Sequence, residues 1–343
     1  MKIAVLTGGG DCPGLNAAIR AIAKSAWAEG DEVHGILEGW AGLAKRKSIL
    51  LSHKKISGLL TLGGTILGTA RINPLKSEKS IQAAEKYFRE QKFDALLSIG
   101  GEGTLQIAAE FYRRGMPVIC IPKTIDNDTW GTDYSIGFDT AVQIATEAID
   151  RLHTTAESHQ RVMIVEVMGR HAGWIALYSG IAGGADAILI PEKVFPIIRL
   201  CDIVKARAKR GRKFSIFVVS EDAKIELEGK KILETPSTRD EYGDIKLGGI
   251  GEALATELRR RSNSEVRVTV LGHVQRGGTP TAFDRILATR LGVKAVELAR
   301  KKDFGKLVVL SGNEIQTLPI QKSAGKVKQV DAELQKVAEV FFG

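Results

Sequence analysis

Residues 122–128 read PKTIDND. A lysine, a threonine and two carboxylates, Asp126 and Asp128, follow an apolar run that predicts a buried strand. Residues two apart on an extended segment face the same way. One carboxylate could then take a proton from a hydroxyl, while the other holds a metal or raises its neighbour's pKa. The same DND pattern also suits Asx turns, so the motif alone decides nothing. Two glycine-rich segments add to it: TGGGDCPGLNAAIR (7–20) and GGEGTL (100–105) each follow an apolar run and open a helical pattern. Glycines there let backbone amides approach a ligand closely, and the helix N-terminus favours an anion such as phosphate. Neither segment is a GxxxxGK[ST] or a GxGxxG motif. Glu102 would repel a phosphate unless a cation bridged them, and Mg²⁺ prefers oxygen ligands of this kind. An acid at that point also complements a helix dipole.

Basic residues recur in further loops. SHQRVMIVEVMGRHAG (158–173) sets Arg161 before an apolar run and Met168, Gly169 and Arg170 after it. GHVQRGG (272–278) carries His273 and Arg276 after VRVTVL, which itself contains Arg267. One such arginine is usually an ion-pair partner. Several, in a chain with two phosphate-type loops, point to a second anionic ligand. His153 and His171 lack this context and read as ordinary histidines.

The elements that must position these residues are short continuous apolar runs: 2–6, 95–99, 118–121, 162–167, 187–190, 214–220, 266–271 and 307–310. Such runs suit strands buried on both faces. Helical patterns over 16–30, 104–115 and 138–156 alternate with them. The expectation is an α/β fold of largely parallel sheets flanked by helices, with ligands beyond the carboxyl ends of the strands. A length of 343 residues, 44% hydrophobic, suits two lobes. The net charge of +9 fits phosphorylated small molecules as well as nucleic acid. The basic residues are scattered, and the run Arg259–Arg261 reads as a solvated helix face, so no nucleic acid is expected. Three dispersed cysteines without metal spacing predict free thiols in a reducing cytoplasm. No signal peptide or membrane span is expected.

Taken together, TGGGDCPGLNAAIR, GGEGTL, PKTIDND, SHQRVMIVEVMGR and GHVQRGGTPTAFDRILATRLG closely resemble the 6-phosphofructokinases, in the same order, from residue 2 to about 320. The resemblance implies two lobes, 1–137 plus 252–301 for the nucleotide and 138–251 plus 302–343 for the sugar phosphate, with the site between them. It implies transfer of the γ-phosphoryl of ATP to the 1-hydroxyl of fructose 6-phosphate, with Mg²⁺. Asp126 would be the base, with Asp128 and Thr124 beside the transferred group and Arg170 stabilising its charge. Glu102 replaces the family's usual metal-binding Asp. Arg161, Arg267, His273 and Arg276 would grip the 6-phosphate, and Met168, Gly169 and Glu221 the sugar. Gly10, Arg71, Ile72, Gly103, Thr104 and Leu105 would line the donor site, with Trp40 as a nearby aromatic. Arg161 and Arg267 would act from an adjacent subunit, implying a homodimer or homotetramer. NAD kinases and lipid kinases share a GGDGT-like loop but lack the other motifs. A catalytically silent sugar-phosphate sensor would be expected to lose Asp126 or Arg170.

Two positions track the donor in this family. Pyrophosphate users carry Asp where this chain has Gly103 and Lys where it has Lys123; most ATP users carry Gly at both. The pair Gly103 and Lys123 occurs in a subgroup of ATP-dependent enzymes. Gly103 leaves room for a nucleotide, and Lys123 is expected to swing toward solvent or touch a phosphate without blocking it. The resemblance also implies an effector pocket between subunits. Arg20, Lys24, Arg212 and Lys213 match it, whereas Gly58 and His153 replace a common carboxylate and arginine, so an altered or absent effector response is expected.

Overall fold

The computed structural model describes residues 1–70, 72–234, 238–239, 245–262 and 264–343. The chain forms two units, 1–140 with 276–328, and 141–275 with 329–343. The first is built on a seven-stranded sheet. Its strands lie in the order Glu314–Pro319, Lys306–Ser311, Val118–Pro122, Ala95–Gly100, Lys2–Thr7, Glu32–Ile36 and Ser48–Leu50. The two outermost pairings are antiparallel and the inner ones parallel. The three central strands are almost wholly buried, which is why their sequences are dominated by apolar residues. Leu6, Leu96, Phe111, Val118 and Leu307 share one core. Burying a side chain such as Phe111 contributes roughly 1.5–3 kcal/mol.

The second unit holds a four-stranded sheet, Val266–Val270, Val162–Val167, Ser215–Ser220 and Ala187–Leu189, parallel throughout. Ile164, Phe217, Leu189 and Leu254 form its core. Glu166 lies buried in this sheet, where it accepts from the amides of Gly249 and Gly251 at 2.9 and 2.8 Å and so caps the helix Ile250–Arg261. Arg259, Arg260 and Arg261 occupy the last turn of that helix, where cations complement the dipole.

The lobe boundaries differ from those expected. Residues 252–275 belong to the second unit, because the strand Val266–Val270 pairs with Val162–Val167. Residues 302–328 belong to the first, because Lys306–Ser311 pairs with Val118–Pro122. Among the described residues no helix is long and apolar enough to cross a membrane. The three cysteines are buried and free.

Candidate active site

Three neighbouring parallel strands of the first unit end side by side, and each releases a loop. The Gly8 amide donates to the Ile99 carbonyl at 2.9 Å and the Lys123 amide to the Gly100 carbonyl at 3.1 Å. The GGEGTL loop thus lies between the TGGG loop and the PKTIDND loop. Their closeness demands glycine: a Cβ on Gly8 would lie 2.4 Å from Thr104 Oγ1, and one on Gly100 2.5 Å from the same atom. Gly10 gives way to Arg276, whose Nη1 would lie 2.6 Å from a Cβ there and donates to the Asp11 carbonyl at 3.3 Å.

Lys123 runs beneath the first glycine loop. It is 2% exposed. Its ammonium donates to the Gly8 carbonyl at 2.9 Å and also to the Gly10 carbonyl. In a trans peptide the carbonyl and the next N–H point in opposite directions. Drawing these two carbonyls inward therefore turns the amides of Gly9 and Asp11 outward, toward an anion. Burial lowers the pKa of this ammonium. The expectation of a lysine swinging to solvent is therefore corrected: main-chain acceptors hold it inside. Lys123→Met should leave both carbonyls buried without a partner, at about 1–3 kcal/mol each. The expected outcome is a rise of at least ~10-fold in KM for the phosphoryl donor, with KM for the sugar little changed. Unchanged donor KM in steady-state kinetics would remove the brace from the account.

In the PKTIDND loop, Thr124 Oγ1 accepts from the Asp126 amide at 3.1 Å and lies 3.3 Å from Asp126 Oδ2. Asp126 is 4% exposed, and its Oδ1 has no hydrogen-bond partner among the described residues. A buried carboxylate oxygen without a donor is costly unless a ligand supplies one. The loop is tightly determined. Asn127 takes a left-handed φ of 51°, its Nδ2 donates to the Asp133 carbonyl at 3.1 Å, and its Oδ1 accepts from the Ser135 amide at 3.0 Å.

In the second unit, Met168–Arg170 follow the strand Val162–Val167. Arg170 has φ 48° and Gly169 φ 154°. Glu221, at the end of the neighbouring strand, accepts from the amides of Gly169 and Arg170 at 3.2 and 3.1 Å. Buried Gln275 accepts from the Met168 amide at 3.0 Å. His273 is exposed in the turn Gly272–Arg276. Arg161 and Arg267 sit at the opposite edge of this sheet. Arg161 Nε donates to Glu265 at 2.7 Å, and Arg267 pairs with the same carboxylate. A six-residue strand separates Arg161 from Met168, about 20 Å at ~3.3 Å per residue. Arg161 and Met168 thus lie at opposite ends of one strand.

The phosphofructokinase family model matches residues 2–299. The chain belongs to the phosphofructokinase family. Activity on fructose 6-phosphate, in glycolysis, follows from that membership. Curated relatives divide over the donor. A Streptomyces coelicolor protein named pyrophosphate–fructose 6-phosphate 1-phosphotransferase is 50% identical, with 100% of both chains covered. A Corynebacterium efficiens protein named ATP-dependent 6-phosphofructokinase is 49% identical over 100% of this chain and 99% of its own. The crystal structure of Pichia pastoris phosphofructokinase in the T-state matches with a TM-score of 0.83 and 33% identity. It covers 99% of this chain, which spans only 36% of that one.

Of the residues expected at the site, the first unit brings Gly10, Thr104, Lys123, Thr124, Asp126 and Arg276 onto the loops at one sheet edge. Arg276 differs from expectation in lying against the glycine loop, at Gly10 and Asp11. Glu102 opens the helix Glu102–Arg113 and accepts from Gln106. Gly103 follows it, and a Cβ there would meet no atom within 4 Å. Asp128 is half-buried in the same loop as Asp126. Ile72 is exposed, and Arg71 lies outside the described residues. Two expectations are corrected. Trp40 is 2% exposed and stacked on Phe111, centroids 5.2 Å apart at 10°, so its ring is core rather than a ligand platform. Leu105 is also in the core, and its amide donates to the Gly101 carbonyl.

Of the residues matched to an effector pocket, Arg20 and Lys24 lie on the helix Leu15–Ala28 of the first unit, and exposed Arg212 and Lys213 follow the helix Ile197–Lys209 of the second. Open space surrounds Gly58. His153 Nε2 lies 2.7 Å from the Gly183 carbonyl, a structural tether.

Sequence reasoning missed Gln275, Asn127 and Ser135 as supports. The Asx-turn reading of DND was the signal for Asn127. Gln275 lies inside a quoted motif, but its bond to Met168 depends on a sheet pairing that sequence does not display.

Among the described residues no group of three or more His, Cys, Asp or Glu side chains forms a metal cage.

Proposed function

We propose that this chain transfers the γ-phosphoryl group of ATP to the 1-hydroxyl of fructose 6-phosphate, giving fructose 1,6-bisphosphate and ADP. The observation that carries the transfer is the buried, unpartnered Asp126 Oδ1, which suits a base accepting the hydroxyl proton. Thr124 and Asp128 flank the moving group, and Arg170 stabilises its charge. Glu102 would hold Mg²⁺, whose charge would offset the repulsion between carboxylate and phosphate. Gly10, Gly103, Thr104 and Ile72 line the donor side. Met168, Gly169, Glu221 and His273 receive the sugar phosphate, while Arg276 lies where it can meet either phosphate. The chain acts in the cytoplasm on small molecules. With ATP, fructose 6-phosphate and Mg²⁺, equal amounts of fructose 1,6-bisphosphate and ADP should form. EDTA should stop the reaction and excess Mg²⁺ restore it; turnover undiminished in EDTA contradicts the reading.

A second reading, pyrophosphate as donor, is favoured by the names of several relatives and by Lys123. The empty space at Gly103 weighs against it, because nothing there excludes the bulk of a nucleotide.

We further propose a site shared between subunits, with Arg161 and Arg267 reaching the 6-phosphate of a neighbour's substrate. It is supported by their position at the sheet edge opposite Met168 and Arg170. Inactive Asp126→Asn and inactive Arg161→Ala chains, mixed under conditions that exchange subunits, should recover part of the wild-type activity. Proven hybrids without recovery would count against sharing.

A further inference from the structure

The C-terminal segment 323–328 lies beyond every motif quoted above, yet it is bound along the loop that follows Asp126. Ser323 Oγ donates to the Trp130 carbonyl at 2.6 Å. The Lys326 ammonium sits 4.7 Å from the Trp130 ring centroid. Val327 bridges Thr129 in antiparallel fashion. The Lys328 amide donates to the Asp128 carbonyl at 2.8 Å. Lys328 Nζ donates to the carbonyls of Thr132 and Asp133, each at 2.8 Å. The Asp133 carbonyl also receives Asn127 Nδ2 at 3.1 Å, and Asn127 adjoins Asp126. A single ammonium therefore gathers the far end of the loop whose near end carries the base.

We propose that Lys328 is a positioning residue for phosphoryl transfer: its side chain fixes the 126–133 loop so that Asp126 and Asp128 meet the acceptor and the moving group. The inference rests on the assignment of Asp126 as base. Three features make the lysine suited to the task. It carries three N–H donors, and the two carbonyls it serves accept at normal distance. It is half-buried, and its bond to the Thr132 carbonyl is partly shielded from water. Burial pushes its pKa down to about 8, against the opposing pull of Asp133 and Asp128, which leaves the amine largely charged at neutral pH. No phosphate contact is needed for this role. A displacement of the base by about 1 Å suffices to lose ~10²-fold in rate.

The test uses the intact chain with Lys328→Met and Lys328→Cys. Both should lower kcat by at least ~10-fold, with KM for both substrates within about threefold of wild type. Hydrogen exchange should rise in residues 126–133, and the melting transition should stay cooperative. The native cysteines are buried, so bromoethylamine can alkylate the introduced thiol of Lys328→Cys alone and rebuild a lysine analogue, which should recover most of the lost kcat. Lys322→Met, an exposed lysine on the preceding short helix, serves as the control and should match wild type. Wild-type kcat in Lys328→Met, or no recovery on alkylation of a folded variant, overturns the proposal. If Asp126→Asn is also fully active, it is the base assignment that has failed; if only Lys328→Met is active, the strap alone has failed.

Discussion

Asp126→Asn is expected to lower kcat by at least ~10²-fold, with a small change in KM for fructose 6-phosphate. The substitution keeps shape and removes basicity. Thr124 Oγ1 bonds the Asp126 amide, so the loop does not depend on the carboxylate charge for its course. Asn127 and Ser135 hold the other side of the loop through their own bonds. The melting temperature should therefore stay close to wild type, and the buried, unpartnered Oδ1 should be relieved of a desolvation penalty rather than deprived of a bond. A kcat within a few-fold of wild type would show that Asp126 is not the base.

Gly103→Asp is expected to reduce kcat/KM for ATP by ~10²-fold or more while leaving the fold intact. Its physics separates ligand from scaffold. A Cβ at 103 meets no atom within 4 Å, and Gly103 is the second residue of the helix Glu102–Arg113. An acid in a first helical turn complements the dipole, and replacing a helical glycine favours the helix. Stability should hold or rise. The bound donor would suffer, since a second carboxylate beside Glu102 would face phosphate oxygens. The loss for pyrophosphate should be smaller than the loss for ATP. Equal ATP kinetics in Gly103→Asp and wild type would detach this position from donor choice.

The sheets were legible because their strands are buried on both faces. Ala95–Gly100 and Val162–Val167 announce themselves by apolar sequence interrupted only by Ser98 and Glu166. Glu314–Pro319 did not, since an edge strand with one exposed side mixes Glu, Gln and Thr with Ile and Leu. The motifs pointed to the loops at strand ends, because glycines and acids after a strand have few structural uses. Sequence could not reveal direction or burial. Lys123 read as a flexible cation and turned out to be an internal brace, because its partners are main-chain carbonyls, which every residue type supplies. Trp40, expected as an aromatic near the donor, has its ring in the core, because Phe111, far along the chain, stacks on it. Lys328 was silent for the same reason: its acceptors are the carbonyls of Thr132 and Asp133. The lobe boundaries were misplaced because the pairing partners of Val266–Val270 and Lys306–Ser311 are set by tertiary contacts.

We propose that an open Gly103 admits a nucleotide, and that Lys123, already bound to the glycine loop, does not demand pyrophosphate. The most direct measurement is kcat/KM for ATP and for pyrophosphate, side by side, on one preparation with saturating fructose 6-phosphate and Mg²⁺. The account predicts a large preference for ATP and little turnover with pyrophosphate. A kcat/KM for pyrophosphate equal to or above that for ATP would contradict it.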